Sequence, residues 1–153
     1  MSSHSYDTDL VLWAEDQSRA LRDAASSGVN LPIDWQNVAE EIESLGKSQG
    51  RELARGIAGI LEHLIKLQAS PAAAPRFGCR EGIQRQRNEI ERLLADSPSL
   101  RRTIAGVIEA ETDEARRLAA FSLASFNEQP QVPLEGLTYT AEQVLGDWFP
   151  DEP

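Results

Sequence analysis

Between Asp34 and Gln68 the chain reads DWQNVAEEIESLGKSQGRELARGIAGILEHLIKLQ. Apolar side chains recur at Val38, Ile42, Leu45, Leu53, Ile57, Ile60, Leu64 and Leu67, a three-and-four spacing that stays in phase across Gly46 to Gly50. The spacing predicts one long amphipathic helix. Asp34 is placed to cap its first amides, and the acidic residues that follow suit the positive end of the helix dipole. Unbroken, such a helix spans roughly 52 Å at about 1.5 Å per residue. Gly46, Gly50, Gly56 and Gly59 each cost about 0.5–1 kcal/mol against alanine, so packing rather than propensity has to hold it. Gly56 and Gly59 let another helix approach closely, and Gly46 to Gly50 is where a kink or a break into two helices is expected.

The other segments fit around this one. Residues 1–6 are polar and expected to fray. A helix is predicted from near Asp7, with Leu10, Trp13, Gln17, Leu21 and Ala24 on one face, ending before Gly28. Val29 to Ile33 forms a connection expected to tuck its apolar residues inward. After Gln68 the stretch ASPAAAPRFG interrupts helicity at Pro71 and Pro75, with Phe77 as its one large apolar anchor. A helix follows from about Arg80 to Ala95, with Ile83, Ile90, Leu93 and Leu94 inward. Ser97 and Pro98 read as cap and first position of another long helix, marked by Leu100, Ile104, Val107, Ile108, Ala115, Leu118 and Ser122 and ending near Ser125. Residues 126–153 read as an extended tail in which Thr140 and Gln143 form a capping box, Gly146 closes a short helix, and Trp148 and Phe149 dock. No alternating apolar pattern predicts a sheet. The expected class is all-α: a single-domain helical bundle over residues 1–153, with four to five main helices, long central helices and a short C-terminal one.

Charge narrows the classes of partner. The net charge is −10, distributed as about −7 over residues 1–46, +5 over 47–102 and −8 over 103–153. Long-range repulsion from nucleic acid follows unless the basic middle forms a separate face. The simpler reading pairs the basic middle with the acidic ends. One cysteine, Cys79, excludes an internal disulfide and favours a reducing cytoplasm. The opening MSSHSYDTDL lacks the basic and apolar regions of a signal peptide, and no apolar run approaches a membrane span.

Taken in order, YDTDLVLW, NVAEEIESLGKS, LEHLIKLQ, RFGCREGIQRQRNEIERLLADSPSLR and TYTAEQVLGDWFP make a sequence that resembles the bacterial family named domain of unknown function 29. The resemblance covers nearly the whole chain and implies a helical bundle without an assigned biochemical activity. Members of that family carry tryptophan where this chain has Leu67 and Cys79, so the resemblance implies no catalytic thiol at Cys79.

Two constellations could carry chemistry. Glu40, Glu41 and Glu43 on the central helix, with His63, Gln86 and Arg87, form a candidate buried polar network, because inward polar groups need partners. Its structural reading pairs Glu41 or Glu43 with Arg87 to fix helix register. A metal-dependent enzyme centred on His63 is the sharper alternative, but the Glu-x-x-His pairs of a bundle metal centre are missing and His4 is the only other histidine. No metal or other cofactor is expected, and hydrolase and phosphate-loop signatures are absent. The second constellation is a candidate basic surface of Arg76, Arg80, Arg85, Arg92, Arg101 and Arg102, with Arg87 among them. It suggests a nucleic-acid-associated or toxin–antitoxin type regulatory protein, although Phe77 alone offers base stacking. The favoured expectation is a non-enzymatic, cytoplasmic module that binds a protein partner or a second copy of itself, with no membrane involvement.

Overall fold

A computed structural model describes residues 6–72 and 76–150, the side chains of Arg76 and Phe77 excepted. His4, Pro75 and the anchoring role expected of Phe77 lie outside the described residues. The described residues form five α-helices, α1 (Leu10–Ser26), α2 (Trp35–Ala69), α3 (Arg76–Asp96), α4 (Ile104–Ser125) and α5 (Ala141–Leu145), with 3₁₀ segments at Pro98–Thr103 and Leu134–Gly136. The described residues contain no strand, and the fold is all-α. They divide into two compact units: residues 6–53 with 92–102, and the remainder.

In the first unit, α1 is capped by Asp9 and starts at Leu10, rather than near the expected Asp7. The Asp9 carboxylate accepts from the Leu12 amide at 3.0 Å. The helix ends at Ser27 because Gly28 adopts φ +75°, a left-handed geometry that costs glycine little. Asp34 caps α2, accepting from the Asn37 amide at 3.3 Å. α2 then continues as one uninterrupted helix of 35 residues through Gly46 and Gly50. The face that packs on α1 is lined by Ala39 and Gly46, both buried, and a Cβ added at Gly46 would lie 3.1 Å from the Ala14 Cβ. Tyr6 packs edge-on against Trp13 at 5.0 Å.

Ser97 does not cap the next helix. Its hydroxyl is buried without a hydrogen-bond partner, Pro98–Thr103 winds as a 3₁₀ segment, and α4 starts only at Ile104. The cap comes from outside the segment: Asp9 accepts from the Ser99 amide at 2.7 Å and from the Ser99 hydroxyl at 3.0 Å.

The second unit is built on Ile57, Ile60, Leu61, Leu64 and Ile65 of α2, Ile83 and Ile90 of α3, and Ile104, Ile108, Ala115, Ala119 and Leu123 of α4. α3 begins at Arg76, ahead of the expected Arg80, since a proline restricts the residue before it rather than the helix after it. Gly56 brings α2 close to α3, where an added Cβ would lie 3.1 Å from Ile90 side-chain carbons.

α4 ends in a Schellman motif. Asn127 takes φ 55°, its amide donates to the Ala124 carbonyl at 3.1 Å, and the Glu128 amide donates to the Leu123 carbonyl at 2.9 Å. The turn carries Glu128 onto Ser70 and lets the Gln131 amide satisfy the Ala69 carbonyl at 2.8 Å. The C-terminal stretch is then tied down twice more: Arg116 donates to the Leu137 carbonyl, and the Tyr139 hydroxyl donates to Gln68 at 2.9 Å. α5 opens with the expected capping box of Thr140 and Gln143.

Candidate functional site

The six residues of the expected polar network do not form one. Glu40 and Glu41 are exposed on α2; Glu40 meets only Gln36. Glu43 is held by Arg22 of α1 and by Lys47, which depress its carboxyl below the usual range. These three belong to the first unit, whereas His63, Gln86 and Arg87 belong to the second.

Arg87 is buried, only 5% exposed, yet no carboxylate of the described residues pairs with it. Its Nε donates to the Val144 carbonyl at 2.9 Å, and its Nη2 donates to Gln143 at 2.9 Å and Trp148 at 2.7 Å. Phe149 lies beneath two guanidinium groups, with Arg80 at 4.6 Å and Arg87 at 4.8 Å from the ring centroid. Burial lowers the Arg87 pKa, against the opposing charge of Asp147. Main-chain carbonyls carry enough partial negative charge to host a guanidinium that remains protonated at neutral pH. Arg87 therefore anchors the C-terminal stretch, with the Phe149 ring packed on its guanidinium and the Trp148 ring 6.1 Å from that of Tyr139.

His63 sits against Gly82, where an added Cβ would come within 3.2 Å of its Nε2, and its Nδ1 is buried without a partner. Burial, then the charge of Lys66, lowers its pKa, with Glu62 acting the other way. Among the described residues no group of three or more His, Cys, Asp or Glu side chains is arranged to hold a metal ion.

The arginines differ in their surroundings. Arg87 is internal, Arg80 is half-buried on Phe149, and Arg85 pairs with Glu81 at 2.9 Å. Arg92, Arg101 and Arg102 are exposed in the first unit, and the side chain of Arg76 lies outside the described residues.

What the sequence reading assigned to the interior is instead a surface feature of the first unit. Leu31 is 55% exposed, Ile33 44%, Leu45 40% and Val38 37%, with Val29 beside them in the connection before α2. At 100° per residue, Asp34, Val38, Glu41, Leu45 and Glu52 fall within about 60° of one another around the helix. One face thus alternates carboxylates with large apolar groups and carries no lysine or arginine between residues 29 and 50, Lys47 lying on the opposite side. The apolar periodicity was the signal for this stripe, but it does not distinguish a stripe that meets the protein's own core from one that meets solvent.

A concavity of about 790 Å³ lies between α4 and residues 130–135. Its two guanidinium groups are already engaged, Arg116 with Asp113 and the Leu137 carbonyl, Arg117 with Glu114.

The described residues thus define an all-α protein with an acid-lined apolar stripe on its first unit. Residues 5–149 match the family model described as "Domain of unknown function DUF29", and the chain belongs to that family. It is also similar to an α-helical protein of unknown function from Rhodospirillum rubrum, whose crystal structure superposes with a TM-score of 0.79 at 27% identity, over 95% of this chain and 92% of that one. No curated protein matches. No helix among the described residues is long and apolar enough to cross a membrane.

Proposed function

We propose that the protein is a non-enzymatic interaction module of the bacterial cytoplasm, whose first unit receives a basic amphipathic helix of a protein partner. The observation that carries this reading is the exposure of Val38 and Leu45 on one face of α2, interleaved with Asp34, Glu41 and Glu52, with Leu31 and Ile33 exposed in the connection that leads into it. Contiguous exposed apolar side chains with a polar border are the usual mark of a docking surface. Apolar residues recurring every seven on a partner helix would lie along Val38 and Leu45, as in helix-in-groove recognition.

Charge selects between occupants. Glu41 and Glu52 have no cationic partner among the described residues, so a second copy presenting the same stripe would set carboxylates against carboxylates, whereas lysines and arginines on a partner would be drawn to them. The single cysteine suits a reducing compartment.

The test uses a fluorescent amphipathic helix of leucines and lysines, titrated by anisotropy. Binding is expected to weaken about tenfold or more for Leu45→Asp and to fall with added salt, while Leu118→Asp in the second unit leaves it unchanged. Equal binding by Leu45→Asp, or sedimentation showing a dimer that Leu45→Asp dissolves, overturns the reading.

A further inference from the structure

A second recognition element, independent of the stripe, lies in the second unit where α2 and α4 end. A pocket of about 260 Å³ is floored by Leu67 and Leu123, both buried, and walled by Phe126, which is 74% exposed at its rim. Lys66, Ser70, Cys79, Ser122 and Glu128 are its polar lining residues. The volume falls just below the roughly 300–1,000 Å³ usual for drug-sized ligands, which limits an occupant to about one ring.

The charges lining this pocket are not balanced. Lys66 is neutralised by Glu62, its Nζ 2.6 Å from Glu62 Oε1. Glu128, by contrast, meets no cation among the described residues: its Oε2 accepts from the Ser70 hydroxyl at 2.7 Å, and no hydrogen bond to Oε1 is formed by the described residues. The Ser70 hydroxyl in turn accepts from the Ala72 amide at 3.1 Å, which fixes its proton toward Glu128. The carboxylate is also held in place by the backbone, because the Glu128 amide closes the Schellman motif on Leu123. A fixed, half-buried carboxylate with one free oxygen above an apolar floor is a receptor for an ammonium group joined to an apolar body.

We infer that this pocket binds a small primary amine with a single-ring apolar body, its ammonium donating to Glu128 and its ring lying between Leu67, Leu123 and Phe126. The proposal needs no catalysis and does not depend on the stripe of the first unit.

Cys79 provides the readout, since it lines the pocket and is the chain's one thiol. The rate of its alkylation by iodoacetamide is measured with phenethylamine and with 3-phenylpropanoate, which has a ring of the same size and the opposite charge. Phenethylamine is expected to slow labelling saturably, by about threefold or more, with 3-phenylpropanoate leaving the rate unchanged. Glu128→Gln should weaken the phenethylamine effect about tenfold, whereas Glu109→Gln should leave it intact. Saturation-transfer NMR of phenethylamine with both variants, each checked for an unchanged melting temperature, reads the same contact without the thiol. Equal protection by the two compounds, protection by neither, or protection undiminished in Glu128→Gln overturns the inference.

Discussion

Asp9 and Ser99 are joined through both oxygens of one carboxylate, Oδ2 taking the Ser99 amide at 2.7 Å and Oδ1 the Ser99 hydroxyl at 3.0 Å. The same Oδ1 accepts from the Leu12 amide at 3.0 Å, so one side chain serves two segment starts that are 90 residues apart in the chain. Burial raises the Asp9 pKa, but hydrogen bonds from Leu12, Ser99 and Val11 outweigh it and hold the carboxyl below its ordinary value.

Replacing Asp9 by alanine removes a cap and leaves the Ser99 amide unsatisfied, an expected loss of about 2 kcal/mol. In a chain of this size that lowers Tm by about 4–8 °C, measurable by circular dichroism. The sign of the pH effect follows from a depressed carboxyl. Its stabilisation is complete above the unfolded-state value of about 3.9 and disappears as pH falls through the lower folded-state value. Urea midpoints of the wild type and Asp9→Asn should therefore differ at pH 7 and converge well below pH 4. A gap that stays constant to low pH would show that the charge of Asp9 is not what holds Ser99.

Arg87 is expected to be the largest single contributor to docking of the C-terminal stretch. Arg87→Met removes three charge-assisted bonds to carbonyls and should cost about 3 kcal/mol or more, with Arg87→Lys between it and the wild type because an ammonium cannot span the same acceptors. Hydrogen exchange locates the effect. Protection of the amides of α5 should fall well before that of the α2 interior around Ile60 and Leu64, and uniform loss across the chain would contradict an anchoring role.

His63 gives a separate pH signature. Because its folded pKa is lowered, the unfolded chain takes up the proton first on acidification, so stability is retained above the unfolded value of about 6.5 and is lost as pH drops below it. NMR should place the His63 midpoint below 6.5, and His63→Gln should flatten the dependence of the urea midpoint between pH 7 and pH 5. With only His4 as a second histidine, the assignment is simple.

The helices were legible because a core face written in leucine and isoleucine repeats every three or four residues, and in Leu53, Ile57, Ile60 and Leu64 that face is where the pattern puts it. The first half of α2 shows the limit of that signal. Its fully buried positions are Ala39 and Gly46, chosen for what they lack, while Val38 and Leu45 carry the visible periodicity outward. Close approach to α1 needs small side chains, and small side chains have no hydrophobic signature. The partners of Arg87 were illegible for a different reason: every residue has a carbonyl, so a guanidinium that binds main chain leaves no complementary charge to find. The Asp9 bonds to Ser99 are likewise tertiary, whereas the capping box at Thr140 and Gln143 is local and could be read directly.

The glycines of α2 allow close packing to be separated from helix propensity within one helix. Nothing lies within 4 Å of a Cβ added at Gly50, so Gly50→Ala should gain the ordinary propensity difference of about 0.5–1 kcal/mol. At Gly56 the same methyl would stand 3.1 Å from two carbons of Ile90 and 3.3 Å from Gln86 Oε1, tighter than about nine in ten real Cβ contacts, so Ile90 would have to shift. Overpacking of this kind costs typically 1–3 kcal/mol, which outweighs the propensity gain and makes Gly56→Ala a net loss of about 1 kcal/mol. Shortening the opposing side chain supplies the control. In the double variant Gly56→Ala with Ile90→Val, the absence of Ile90's terminal methyl should recover part of the loss, and the two changes should be non-additive in urea unfolding. If Gly56→Ala stabilises as much as Gly50→Ala, the approach of α2 to α3 is looser than these distances describe, and the role of Gly56 is not packing.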